Sequence, residues 1–167
     1  MLVLAATLGV LASCTSESAP DGPDRSVQIN AAVLTWLLEH EAPVAPGPSE
    51  ERERPLVYVD HLGPEQLDLQ VQIELVSRFD EEYELRFIDA TSEALDSERI
   101  NAPVRQDRLL IGLGPVPDTF PFSVRAEVYR NARDIDAYRF EVVRWTGEWV
   151  LGEEPEVVEP EGFITTS

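Results

Sequence analysis

The chain has 167 residues, with 32 acidic side chains against 13 basic ones, and a formal net charge of −19. Every basic residue is an arginine. Nucleic-acid backbones and anionic lipid headgroups are held by Lys and Arg that neutralise phosphate, so no nucleic-acid partner is expected and the membrane surface does not attract this chain by charge. The lack of lysine removes Schiff-base catalysis, which needs its amine, and a Walker-type loop, which needs a lysine to reach the phosphates.

Residues 1–12 form an apolar block interrupted only by Thr7 and Gly9. As a helix rising ~1.5 Å per residue the block covers about 18 Å, well short of a hydrocarbon core of ~30 Å. A cleaved leader over residues 1–13 fits better than a membrane span. The next residue, Cys14, is the only cysteine, so it has no partner for an internal disulfide. The run Leu11-Ala12-Ser13-Cys14 resembles the lipobox of bacterial lipoproteins, in which a branched apolar residue and two small ones precede a cysteine that is acylated and becomes the mature N-terminus. The resemblance implies lipid attachment at Cys14 and a membrane-anchored, extracytoplasmic location. Acyl chains, at ~0.8 kcal/mol per buried CH₂, would then supply the hold that charge denies. The basic stretch that usually precedes such a leader is missing, as it would be if the start were placed too far downstream. The alternative is an idle or buried cysteine at the end of an ordinary signal peptide.

After the leader, TSESAPDGPDRS has nothing to bury and predicts a flexible tether over residues 14–26. A single domain is expected over 27–152, enough chain for one core. The acidic, proline-containing stretch 153–167 predicts a loose tail, with Phe163 and Ile164 able to dock. In chain order, VQINAAVLTWLLEHE places Ile29, Val33, Trp36 and Leu37 at helical spacing, with Asn30 at its cap or just inside. The proline-rich stretch from Pro43 to Pro55 reads as a loop, and LVYVD (56–60) as a short strand. Residues 64–79 set two rules against each other. Leu67, Leu69, Val71, Ile73 and Leu75 alternate as in a half-buried strand, whereas Pro64, Glu65, Asp68 and Arg78 suit the ends of a helix. The end signals and the length favour the helix, with Leu69, Ile73 and Val76 as its buried stripe, widened by Val71 and Leu75.

Strands follow at ELRFID (84–89) and RLLIGLG (108–114), with a short helical turn between them near 91–96. FSVRAEV and AYRFEVVRW alternate over longer runs. Phe122, Val124, Ala126, Val128, Tyr138, Phe140 and Val142 are expected inward, and Ser123, Arg125, Glu127, Arg139 and Glu141 outward. Turns at 131–134 and at Thr146-Gly147 join these strands to EWVL as an antiparallel meander. The order predicts an α+β fold: a mostly antiparallel sheet with a C-terminal meander and two helices packed on one face. This order, with RFID, LLIGLGPVP and GEWVL, resembles small exported bacterial α+β domains of no assigned activity, and more loosely the cystatin-like and NTF2-like cone folds. That resemblance implies no activity.

Few residues offer chemistry. Asp60 and His61 close the first strand, where a base and its orienting group could sit; as strand neighbours they point to opposite faces, which works against a hydrogen bond between their side chains. Asp89 ends the 84–89 strand and lies near Asp60 only if the two strands are adjacent. Asp60, His61 and Asp89 are therefore the candidate binding residues, against the plainer reading that each caps a loop. His40 and His61 are the only histidines, and no HExxH, GxSxG, GxGxxG or EF-hand spacing is present, so neither a metal nor a cofactor is expected. Trp145 and Trp149 flank a turn and could stack on a sugar or partner, or simply pack. The reading that results is a lipid-anchored, non-catalytic binding or assembly protein of the bacterial cell envelope, whose partner is an envelope protein, peptide or polymer. Two alternatives are an envelope hydrolase using Asp60, His61 and Asp89, and a structural spacer in an envelope complex.

Overall fold

The computed structural model describes residues 23–41, 54–97, 102–105 and 108–161. The predicted leader, Cys14, the predicted tether as far as residue 22, the loop 42–53, and Phe163 and Ile164 lie outside these residues.

Helix α1 spans Pro23–Glu41 and so begins inside the stretch read as tether. The signals were there: proline is pre-organised for a first helical position, and Asp24 in the first turn faces the positive end of the helix dipole. Ile29, Val33 and Leu37 are buried as their spacing predicts, joined by Leu34 and Leu38. Asn30 lies within the helix and its Nδ2 donates to the Ser26 carbonyl at 2.9 Å.

Strand β1 (Leu56–His61) leads to α2 (Leu69–Phe79). The end signals in the sequence chose the right element, but the helix starts five residues after Pro64. Asp68 is the N-cap, its carboxylate accepting from the Gln70 N–H at 2.7 Å. The buried face also differs from expectation: Val71 and Leu75 turn inward, while Leu69, Ile73 and Val76 are 69%, 52% and 38% exposed. With apolar residues on two sides of the helix, periodicity alone does not choose between them. The packing of α2 against α1 and strand β2 (Glu84–Phe87) does.

A single 3₁₀ turn at Thr91–Glu93 precedes β3 (Leu109–Leu113), β4 (Phe122–Asn131), β5 (Asp134–Trp145), β6 (Glu148–Leu151) and β7 (Glu156–Val158). The sheet runs β2-β1-β3-β4-β5-β6, with β7 also pairing with β5. β1 is parallel to both β2 and β3; every other pairing is antiparallel. The fold is thus α+β, with a mostly antiparallel sheet, a C-terminal meander and two helices on one face. Thr146 and Gly147 turn β5 into β6 with positive φ at both positions (49° and 90°), as a two-residue hairpin turn matched to strand twist requires.

Strand alternation sorts the core into two layers. Val57, Val59, Ile111, Val124, Ala126 and Phe140 meet the helices. Tyr58, Leu110 and Tyr129 point to the other face, where Ile88, Ala94, Leu95, Ala102 and Val104 cover them on the way from β2 to β3. Two expectations about exposure are corrected on this second face. Glu127 is 0% exposed: its carboxylate accepts from the Arg125 guanidinium at 2.8 and 3.0 Å and from the Glu161 N–H at 2.7 Å. The stretch read as a loose tail supplies that last donor, and β7 within it pairs with residues 137–139 of β5.

Candidate functional site

Consecutive parallel strands β1 and β2 are joined by α2 over one face, and the chain then crosses from β2 to β3 over the other. At the carboxyl ends of β1 and β2, therefore, successive connections leave in opposite directions and a crevice opens, the usual position of a ligand site in open sheets with parallel strands. A small, shallow cleft lies there, partly open to solvent, lined by Val59, Asp60, His61, Gln66, Leu67, Gln72, Phe87, Ile88 and Asp89.

All three candidate binding residues line this cleft. The register of β1 and β2, with Val59 opposite Phe87, carries His61 and Asp89 to the same level at its mouth. Asp60 is only 7% exposed and is tied in two directions. Its Oδ2 accepts from the Thr91 hydroxyl at 2.7 Å, and its Oδ1 accepts from the His61 backbone N–H at 2.8 Å. His61 Nδ1 lies 3.3 Å from the same Oδ1. Although strand neighbours point to opposite faces, the two side chains come within ion-pair distance here, because the strand ends at His61 and the Asp60 carboxylate turns toward the following N–H. Asp89 is exposed and accepts from Gln66 Nε2 at 3.0 Å. Gln72, in the first turn of α2, donates to the Leu67 carbonyl at 2.8 Å and fixes the opposite wall.

Chemically, the cleft offers carboxylates, one imidazole and two carboxamides above an apolar floor of Val59, Leu67, Phe87 and Ile88. Among the described residues no group of three or more His, Cys, Asp or Glu side chains is arranged to hold a metal ion. Thr91, Gln66 and Gln72 carry no motif, and only the parallel pairing of β1 with β2 brings them here. That pairing was not legible, because β1 and β2 are short strands whose sequences fit either orientation.

The two tryptophans do not form a joint platform. Pairing of Arg144 with Trp149 and of Trp145 with Glu148 puts the rings on opposite faces of the hairpin. Trp149 packs with Phe122 at 5.7 Å and Phe120 at 6.1 Å between ring centroids. The buried Arg25 guanidinium sits over Phe122 at 4.6 Å and Trp149 at 5.1 Å, and also donates to the Pro117 carbonyl. This cluster fastens the start of α1 to the meander. Trp145 is exposed.

Set beside known proteins, the chain matches no family model, no curated protein and no solved structure.

Proposed function

We propose that this is a lipid-anchored, extracytoplasmic binding or assembly protein of a bacterial cell envelope, tethered through Cys14 and acting without catalysis. The observation that carries the reading is the Leu11-Ala12-Ser13-Cys14 pattern placed nine residues before a domain that starts at Pro23. Supporting it, no helix among the described residues is long and apolar enough to cross a membrane, so a lipid would be the hold for a domain whose own charge repels anionic bilayers. The domain presents a cleft and an uncovered apolar helix face, both suited to a partner. Cell fractionation tests the anchor: Cys14→Ala should move the protein from the membrane to the soluble fraction. Undiminished membrane retention of that variant contradicts the reading.

A hydrolase is the second reading, favoured by one observation: Asp60, His61 and Asp89 share a cleft, with the imidazole 3.3 Å from a buried carboxylate. It requires turnover of chromogenic esters, phosphates or glycosides that is lost in His61→Gln. An equal rate in that variant removes it.

A further inference from the structure

The strongest unexplained surface is the outer face of α2. Leu69, Ile73 and Val76 stand at i, i+4 and i+7, which places them in one row along the helix. They are three of the six large apolar side chains that stand exposed among the described residues. The row borders the cleft, because Gln72 lies between it and the buried Val71 and Leu75 and lines the cleft wall. Around it the charge is one-sided. From Glu65 to Glu84 there are seven exposed carboxylates and a single arginine, Arg78. Of those seven, only Glu84 has an ion pair among the described residues, to Arg86 at 2.8 Å.

We infer that this face is the docking surface for a protein partner that presents a basic amphipathic helix. Its apolar side would cover Leu69, Ile73 and Val76, and its lysines or arginines would meet the flanking carboxylates and reach Asp89 at the cleft mouth. The inference rests on the binding reading above and names the chemistry of the partner. Charge excludes the other obvious occupants. A second copy would set one carboxylate rim against another in a chain of net charge −19, and anionic lipid would be repelled. The loop 42–53 carries three further carboxylates, Glu50, Glu51 and Glu53, against one arginine, Arg52, and would meet the same repulsion. Basic partners also gain rate: complementary fields raise association well above the neutral range, and the gain falls with salt.

The test uses the mature chain, residues 14–167, with Cys14→Ser to prevent lipidation. The probe is a synthetic leucine-lysine peptide with helical apolar spacing, compared with the same peptide carrying glutamate for lysine. Saturable one-to-one binding of the lysine peptide, mapped by amide shifts to α2 and the cleft mouth, is expected, with no binding of the glutamate peptide. Ile73→Ser and Leu69→Ser should each weaken it at least tenfold while leaving the circular dichroism unchanged. Glu74→Gln with Glu81→Gln and Glu82→Gln should weaken it and flatten its salt dependence. Trp145→Ser, an exposed apolar site on the meander, should have no effect. Binding that survives Ile73→Ser, shifts that map away from α2, or dimerisation of the free chain that Ile73→Ser abolishes would each overturn the inference. To separate it from its parent reading, a photocrosslinker is placed at position 73 and at position 66 in cells. Adducts at 66 alone remove the basic-helix surface and leave a binding protein, and adducts at neither site remove both.

Discussion

At Tyr138, burial and a hydrogen bond combine to keep a phenol neutral. Burial removes water that would solvate the phenolate, and the hydroxyl donates to the Glu41 carboxylate at the end of α1, so its pKa stands above the ordinary ~10. Because the folded value is raised, the contribution to stability is fully present below pH ~10. It is lost as pH climbs above that, since the unfolded chain ionises first. Tyr138→Phe should cost about 1.5–3 kcal/mol at neutral pH, the range for a hydrogen bond to a charged group, and narrow the alkaline loss. In an ultraviolet titration of the four tyrosines, the variant should lack the last one to ionise; loss of an ordinary one instead contradicts the geometry. Arg130, which reaches Glu41 and also Asp136 at 2.6 Å, completes this latch between α1 and the β4–β5 hairpin. Single residues were the least legible part of the sequence. Alternation placed Glu127 in water, whereas it is buried beneath Arg125 and accepts from the Glu161 N–H where the chain returns over β4. Asp60 and His61 were identified as chemistry-bearing residues, but their contact depends on the strand ending between them and the loop.

α2 shows how far pattern carries at the level of an element. Cap and end signals separated helix from strand correctly, because a carboxylate that can accept from a free N–H is local chemistry. Which stripe faces inward is not local, since it depends on where α1 and β2 stand. Leu75→Ala should therefore cost about 2–5 kcal/mol, and Ile73→Ala less than about 0.5 kcal/mol, by chemical denaturation. The reverse order would restore the stripe read from periodicity alone. The helical spacing of α1 and the alternation of β4 and β5 were readable for a different reason. In each, the large apolar side chains fall on one face, which meets the main core, so a single period dominates the pattern.

For the whole molecule, the sequence carried the α+β layout and the meander but neither end of the domain. Helical signals at Pro23 and Asp24 were outweighed by the composition of the stretch around them. The short EVV of β7 is stabilised by β5 and by the Arg125–Glu127 pair, which are distant in sequence. Truncation after Gly152 should accordingly lower stability by about 1–3 kcal/mol through the lost Glu161 donor to a buried carboxylate, read as a lower thermal midpoint; an unchanged midpoint would mean the segment is ornamental. An earlier start of the folded part also shortens the proposed leash to the residues between Cys14 and Pro23.

The account as a whole turns on Cys14. Mass spectrometry of the N-terminal peptide of the protein purified from its native membrane is the most direct measurement. The predicted result is a chain that begins at Cys14 with a mass increased by acyl chains, and a chain that retains Met1 with an unmodified thiol would contradict it.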